Sequence, residues 1–252
     1  MPLLDALLLV SAAFGAGVLN TVAGGGTFLT FPALVFAGIP PVVANATSAV
    51  AVFPGYLAGA AGFRRELAAM VAGGRLFRLA LVTLFGGLAG ALLLMVSSNE
   101  AFSAVVPGLL LFATLVFLLG DRLRRVAAGL AKGEGMAGVV GLSFVTLYGG
   151  YFNGGLGIML LALFSFWGMR DMHEMNGLKN GLSFVLSAIS VAAFALAGLV
   201  AWPQALLMMA ASTAGGYAGA PLARVLPRPV LRALIAAVGF GMAAIFAARA
   251  WG

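Results

Sequence analysis

The sequence predicts an all-α polytopic membrane protein built from two inverted repeats. Of its 252 residues, 63% are hydrophobic and only 8% are charged. Several apolar runs reach the roughly 20 residues that a helix needs to cross a bilayer. A polar, glycine-rich break interrupts an apolar segment twice, at residues 20–27 and again at 153–157. Each break is followed about twenty residues later by a second polar cluster, so break and cluster repeat as one unit.

The composition excludes several classes of protein. The chain contains no cysteine, so disulfides, thiolate metal sites and thiol nucleophiles are absent. The net charge of +7 comes from Lys and Arg in short loops, where such residues set membrane orientation. We therefore expect a lipid bilayer as partner and no nucleic acid. The apolar N-terminus lacks Lys and Arg and carries Asp5, and because residues 1–38 have a counterpart in the second half, we interpret them as retained structure.

The first repeat is predicted to occupy residues 1–120. It holds a broken hairpin at 3–38 and helices at 41–62, 79–96 and 101–119. Consecutive prolines at 40 and 41 suit a helix start, where a missing N–H costs nothing. Ser97 and Glu100 stand three apart ahead of an apolar run, the pattern of a capping box.

A polar stretch at 121–135 is predicted to be a cytoplasmic linker between the halves. The second repeat, 136–252, then holds a hairpin at 136–168 and helices at 175–198, 203–222 and 232–250. Two small-residue stretches, GGLAGA at 86–91 and GGYAGA at 215–220, match almost letter for letter. Small residues let membrane helices approach closely, so both stretches are predicted packing faces.

Charge distribution favours one of two topologies for the broken segments. If both are re-entrant hairpins, every Lys and Arg except Arg249 falls on or beside the cytoplasmic side. Each half then has one hairpin and three crossings, and this odd number inverts the second copy. The alternative is eight full crossings, which distributes the basic residues over both sides. Non-helical backbone at membrane depth is tolerated where it lines a cavity, as in secondary transporters.

The breaks are the first group of candidate binding residues. A helix that starts just after Gly26 or Gly157 directs its positive end at the break, and such an end attracts anions. The alternative is that the glycines only permit a tight turn or close packing. The candidates are Asn20, Thr21, Gly24, Gly25, Gly26, Thr27, Asn153, Gly154, Gly155 and Gly157.

The second polar clusters add a cationic candidate. Lys179 lies about a turn inside an apolar helix, and an ionisable group there indicates function. It would neutralise the charge of an anionic substrate, whereas the alternative is a lysine that snorkels to the cytoplasmic surface. Its neutral companions are Asn45, Thr47, Ser48, Asn176, Asn180 and Ser183.

One loop could suggest a metal site. His173 has Asp171 and Glu174 beside it, but catalytic metal sites usually gather ligands from several elements. We interpret this loop as a solvated cytoplasmic turn, with proton coupling or a metal as the alternative. No cofactor, metal or catalytic residue is predicted, and we do not expect an enzyme.

The motifs resemble a known family of membrane proteins. The runs are GVLNTVAGGGT at 17–27, FPAL at 31–34, ANATS at 44–48 and GGYFNGGLG at 149–157. In this paired order they are similar to the TauE/SafE family of sulfite and organosulfonate exporters. The resemblance implies transport of small sulfur-containing anions, usually outward, across the bacterial inner membrane.

These features predict a multi-pass inner-membrane transporter of a small anion. The substrate expected is sulfite or a short organosulfonate, exported by alternating access. No carboxylate lies inside a predicted membrane segment away from its ends, which argues against a cation carrier. The alternatives are an anion channel, a permease for another small anion, an intramembrane enzyme and a scaffold. The small-residue faces permit a homodimer.

Overall fold

The protein is helical throughout the part that the structure describes. The computed structural model describes the backbone of residues 1–22, 25–72, 74–130, 133–225 and 228–251. Side chains are described over the same ranges except at 21–22, 69, 71–72, 219–225, 228–232, 234–235 and 250–251. Every regular element in these residues is an α-helix, and no strand occurs among them.

Six helices lie in the described residues of the first half. They are α1 (Leu3–Val22), α2 (Thr27–Phe36), α3 (Pro41–Gly62), α4 (Arg64–Ala72), α5 (Arg75–Val96) and α6 (Asn99–Gly129). The described part of the second half contains five helices. They are α7 (Met136–Tyr151), α8 (Leu156–Phe166), α9 (Met172–Leu196), α10 (Trp202–Val225) and α11 (Arg228–Trp251).

Helix lengths and composition make this a polytopic membrane protein. Within the described residues, five helices are long and apolar enough to cross a bilayer, namely α1, α3, α5, α6 and α9. Helices α2 and α8 are apolar but contain only 10 and 11 residues. At about 1.5 Å per residue they cover roughly half of a 30 Å hydrocarbon core.

Each break is the tip of an antiparallel helical hairpin. In α7 and α8, Gly138 lies against Trp167, Gly141 against Leu163, and Gly149 against Leu156. Pairings that converge towards the break in this way show that α8 folds back along α7. The α1–α2 pair follows the same rule, because Gly15 contacts Leu29 and Asn20 contacts Gly26. That these hairpins are re-entrant in a membrane stays a prediction.

The helix contacts of the two halves mirror each other. Hairpin helix α1 packs on α10, and its counterpart α7 packs on α5. In the same way α2 contacts α11 while α8 contacts α6, and α3 contacts α10 while α9 contacts α5. Each hairpin is therefore held by helices of the opposite half. The inverted orientation of the second half stays a prediction.

The duplicated small-residue stretches form these contacts. A Cβ atom at Gly90 would overlap the carbonyl oxygen of Leu147 on α7, and one at Gly215 would overlap the carbonyl oxygen of Phe14 on α1. Backbones can approach this closely only where no side chain intervenes. The two stretches are thus the surfaces against which α7 and α1 of the hairpins pack.

Helices α3 and α9 form an antiparallel pair at the centre. Gly59 contacts Asn180, and the rings of Phe53 and Phe184 stack with centroids 5.3 Å apart. Near the beginning of α3, the Thr47 hydroxyl accepts a hydrogen bond of 3.0 Å from the amide of Ala201, which follows α9. The beginning of α9 therefore lies beside the end of α3.

Several boundaries differ from the sequence-based expectation. Helix α6 continues to Gly129 through the first part of the expected linker, because residues 121–129 are mostly good helix formers and Arg124 bonds Asp121 at 3.0 Å. The expected loop between α3 and α5 contains the short helix α4. The cap of α6 is Ser98, whose hydroxyl accepts the amide of Ala101 at 3.1 Å, whereas Ser97 donates to Leu93 of α5.

Basic side chains gather at the end of the molecule where α9 begins. Arg75 and Arg78 both pair with Glu134 of the segment that follows α6. Arg124 reaches the sulfur of Met172, the first residue of α9, at 3.3 Å. That this end faces the cytoplasm stays a prediction.

We predict that Gly90→Ala destabilises the protein whereas Gly108→Ala does not. The added methyl at position 90 meets backbone atoms of α7, and overpacking of this kind costs about 1–3 kcal/mol. Position 108, also helical, has no atom within 4 Å of an added Cβ, so alanine there is neutral or stabilising by up to about 1 kcal/mol. Thermal unfolding in detergent measures both variants, and equal melting temperatures would contradict the packing argument.

Candidate functional site

A small cavity lies between the tips of the hairpins and the central helix pair. Its lining comes from α2, α3, α7, α9 and the second break. The residues are Thr27, Asn45, Ala49, Gly149, Gly150, Phe152, Asn153, Leu186, Ser187, Ser190 and Phe194. The space open to the centre of a water molecule is about 10 Å³. This volume holds roughly one water molecule, so the cavity is closed to larger molecules in this conformation.

The first break presents the N-terminal end of α2 to the cavity. The Gly26 amide donates a hydrogen bond of 2.8 Å to the Asn20 side-chain oxygen, which fixes the turn. A Cβ at Gly26 would lie 2.6 Å from the Asn20 side-chain nitrogen, so glycine is required at this approach. Thr27, the first residue of α2, is buried and lines the cavity. The N-terminal end of α2, where the helix dipole is positive, therefore lies at the edge of this space.

The second break is held in a left-handed conformation. Asn153 has φ +64° and Gly155 has φ +75°. Asparagine and glycine are the residues that adopt this region most readily. The Tyr148 hydroxyl donates a hydrogen bond of 2.8 Å to the Gly154 carbonyl, which links α7 to the turn. The turn places the Asn153 side chain at the cavity, where it is buried.

Asn45 ties the two halves together at the cavity. Its side-chain amide donates a hydrogen bond of 2.8 Å to the carbonyl oxygen of Tyr151, the last residue of α7. The carbonyls at the end of a helix have no partner within the helix, so this bond satisfies one of them. A residue of the first repeat thus holds the hairpin tip of the second.

Two serines on α9 supply hydroxyls without partners. Ser187 is 1% exposed and Ser190 is 3% exposed, and both line the cavity. Neither hydroxyl has a hydrogen-bond partner among the described residues. Because a buried unsatisfied polar group costs about 1–3 kcal/mol, these two hydroxyls are available to bind a ligand.

Lys179 lies on the same face of α9 but outside the cavity. Lys179, Ser183, Ser187 and Ser190 are separated by four, four and three residues, which places them in one stripe along the helix. We call these four residues the polar stripe. It is about 16 Å long at 1.5 Å per residue. Lys179 is 8% exposed, and no hydrogen bond or ion pair reaches it within the described part of the chain.

A small set of the predicted residues meets at the cavity, and the others have separate tasks. Thr27, Asn45 and Asn153 line it. Thr47 accepts the Ala201 amide, and the Ser48 hydroxyl shares a 2.6 Å hydrogen bond with Thr30, which fastens α3 to α2.

Two asparagines of the second cluster lie towards the exposed beginning of α9. Asn176 donates to Met172 of its own helix at 2.8 Å, and Asn180 lies against Gly59 of α3. Within the breaks, Gly25, Gly154, Gly155 and Gly157 are buried at the tips, and Asn20 is engaged by Gly26. The Thr21 side chain and Gly24 lie outside the described residues.

The chain matches one family model over nearly its whole length. The model is described as Sulfite exporter TauE/SafE and covers residues 9–246. The chain belongs to the TauE/SafE family. This confirms the resemblance found in the paired motifs.

Curated relatives of this TauE/SafE chain are named as transporters. A "Probable membrane transporter protein" of Haemophilus influenzae is 29% identical over 243 residues, which cover 94% of this chain and 92% of the relative. A "Probable membrane transporter protein YfcA" of Escherichia coli K12 is 28% identical, with 91% and 84% covered. A "Probable membrane transporter protein ORF9" of a Sinorhizobium species is 25% identical, with 92% and 88% covered. No solved structure matches at the same level of significance.

The family and its named relatives make this chain a membrane transporter. The loop with His173 has a structural task instead. The Asp171 carboxylate caps α9 by accepting the amides of His173 at 2.7 Å and Glu174 at 3.3 Å. Among the described residues, no three His, Asp or Glu side chains lie together in a way that could hold a metal.

Sequence reasoning did not single out Ser187 and Ser190 in this TauE/SafE chain. Serine is common in membrane helices, and single residues of this kind carry no signal. Their spacing from Lys179 and Ser183 is the pattern that reveals them, since it places four polar residues on one face of an apolar helix.

We predict that Asn45→Ala destabilises the protein whereas Asn176→Ala does not. These asparagines hold matching positions in the two repeats, but Asn45 bonds the end of α7 and Asn176 bonds its own helix near the surface. Loss of the Asn45 amide leaves the Tyr151 carbonyl unsatisfied, at a cost of about 1–3 kcal/mol. The control change is expected within about 0.5 kcal/mol. Thermal unfolding in detergent provides the comparison, and an equal loss in both variants would refute this role for Asn45.

Proposed function

We propose that the protein carries a small oxyanion, sulfite or a short organosulfonate, through the cavity between the hairpin tips. The observation that carries this proposal is the pair of buried, unpartnered hydroxyls of Ser187 and Ser190 opposite the N-terminal end of α2. Hydroxyls, a side-chain amide and a helix N-terminus are donors that suit oxyanion oxygens. The family model's description as a sulfite exporter supports the same class of substrate.

The charge of the site supports an anion rather than a cation. None of the residues that line the cavity is Asp or Glu. A cation in this space would therefore have no carboxylate beside it to neutralise its charge. A trigonal or tetrahedral oxyanion needs several hydrogen-bond donors arranged around it, and Thr27, Ser187 and Ser190 supply three hydroxyls.

The volume of the cavity supports alternating access. Space for about one water molecule cannot hold sulfite, so the tips must move apart when substrate enters. The tip of the second hairpin is joined to α3 of the first half by hydrogen bonds from Asn45 to Tyr151 at 2.8 Å and from Tyr56 to Asn153 at 3.5 Å. A transporter that closes around its site between openings fits this geometry better than a channel with a permanent pore. We further propose that the protein resides in the bacterial inner membrane, that transport is outward, and that a homodimer forms.

Lys179 is proposed to attract the anion at the inner end of the polar stripe. Its position near the beginning of α9 puts it on the side where Arg75, Arg78 and Arg124 gather. From there Ser183 leads to the two cavity serines on the same helix face. An anion that leaves Lys179 therefore meets a hydroxyl on every turn of α9.

We predict that the double change Ser187→Ala with Ser190→Ala removes anion binding without lowering stability. Neither hydroxyl has a partner in the free protein, so its loss costs no hydrogen bond and removes an unsatisfied group. Thermal unfolding is measured with sulfite, methanesulfonate, sulfate, phosphate and acetate, because a bound ligand raises the melting temperature. The wild type should respond to sulfur oxyanions and the double variant should not.

Ser183→Ala is the matched control. Ser183 is also buried and unpartnered, but it does not line the cavity. The control should therefore keep the thermal shift of the wild type. An equal loss of the shift in both variants would remove the cavity from the proposal, and a wild type that responds to no sulfur oxyanion would overturn the substrate class.

We predict that Lys179→Met abolishes transport while the protein still folds. Methionine fills similar space and removes a buried charge that has no described partner. Uptake of labelled sulfite into proteoliposomes is compared with that of Arg170→Gln, which changes an exposed charge near the same end. Saturable exchange of labelled for unlabelled sulfite distinguishes a carrier from a channel. Normal transport by Lys179→Met would refute this role.

A further inference from the structure

A second, larger pocket opens at the opposite end of α3. We call it the outer pocket, and it lies where α2 ends, α3 begins, α6 begins and α11 ends. The space open to the centre of a water molecule is about 300 Å³, which accommodates a sulfite or a short sulfonate. The lining residues are Val35, Gly38, Ile39, Pro40, Pro41, Ser103, Phe246 and Arg249.

Arg249 gives this pocket a positive charge. It is the one basic residue that the topology prediction leaves away from the cytoplasmic side. The pocket contains no Asp or Glu, and no ion pair to Arg249 is found within the described residues. A guanidinium group donates to two oxygens of an oxyanion at once, which makes arginine a selective partner for such groups.

The outer pocket and Lys179 lie on opposite sides of the cavity. Pro41 begins α3 at the outer pocket, whereas Gly59, near the other end of α3, contacts Asn180 beside Lys179. Asn45 and Ala49, which line the cavity, come between these two points on α3. One helix therefore passes the outer pocket, the cavity and the neighbourhood of Lys179 in that order.

Aromatic rings in contact with one another connect the lining of the outer pocket with the lining of the cavity. Phe246 lines the pocket and stacks on Phe31 with ring centroids 5.6 Å apart. Phe31 in turn meets Phe152, which lines the cavity, at 5.7 Å, and Phe102 packs against Phe31 at 6.1 Å. We call these four residues the aromatic layer. All four are buried.

We propose that the outer pocket is a second anion site, in which Arg249 holds the substrate on the side opposite to Lys179. The aromatic layer is the barrier that the anion crosses between this site and the cavity. This inference rests on the proposed function for the identity of the anion, a small sulfonate or other oxyanion. The phosphate of an anionic lipid shares that chemistry, so the test must distinguish a free anion from a headgroup.

The absence of cysteine from the chain permits a direct test. Ser103→Cys places one thiol in the outer pocket of the detergent-solubilised protein. Its labelling rate is measured with two methanethiosulfonate reagents, one carrying an ethylsulfonate and the other a trimethylammonium group. Arg249 should favour the sulfonate reagent, so Arg249→Gln should lower the ratio of the two rates about tenfold. Arg65→Gln, which removes an exposed arginine at the other end, should leave the ratio unchanged.

Competition separates a free anion from a lipid. Methanesulfonate should slow labelling of Ser103→Cys when Arg249 is present and should have no effect with Arg249→Gln. The same measurement is repeated in neutral phosphatidylcholine with and without phosphatidylglycerol. Protection by the anionic lipid alone would assign the pocket to a headgroup and overturn the proposal, as would an unchanged rate ratio with Arg249→Gln.

A thiol in the cavity tests the barrier. Ser190→Cys should react slowly, and Phe246→Ala should increase its labelling rate because the aromatic layer loses the ring that faces the pocket. An unchanged rate would refute the path. These labelling measurements do not require transport. If proteoliposomes carry no sulfite while Arg249→Gln lowers the rate ratio, the proposed substrate is wrong and the outer site is supported. If sulfite is transported while the rate ratio is unchanged, the proposed substrate is supported and the outer site is wrong.

Discussion

The structure depends on the requirement that backbone polar groups find partners inside the protein wherever water is absent. Two breaks in apolar helices free such groups, and each break needs a specific solution. At the first, Asn20 accepts the amide of Gly26. At the second, Asn45 and Tyr148 engage the carbonyls of Tyr151 and Gly154. Of these side chains, Asn45 also lines the cavity, so one of the bonds that satisfies a break lies at the site itself.

The polar groups left without partners then define what the site can bind. Hydroxyls of Ser187 and Ser190 face a space that holds about one water molecule. The conformation is thus closed around groups that favour an oxyanion. Lys179 and Arg249 lie beyond the two ends of this space, and the polar stripe and the aromatic layer connect them to it. In the proposed function, charge at both ends with neutral donors between them would let an anion bind without being held too strongly.

Much of this arrangement could be predicted from the sequence because it is carried by local signals. The sequence shows directly the glycine-rich breaks, the small-residue stretches and the lysine within an apolar helix. Three of the predicted residues, Thr27, Asn45 and Asn153, line the cavity. The different fates of Asn45 and Asn176 could not be predicted, because their repeat positions match. They differ in what covers them: the tip of α7 lies over Asn45, whereas Asn176 remains near the surface. Tertiary contacts of this kind leave no trace in a single sequence.

The exchange of hairpins between the halves has a consequence for synthesis in the cell. Helix α1 packs on α10, which follows it by about 180 residues, and α7 packs back on α5. The N-terminal hairpin is therefore synthesised long before α10, the helix against which α1 packs. Its glycine-rich polar turn is made long before α10 can cover α1. Each half completes the packing of its hairpin only against helices of the other half.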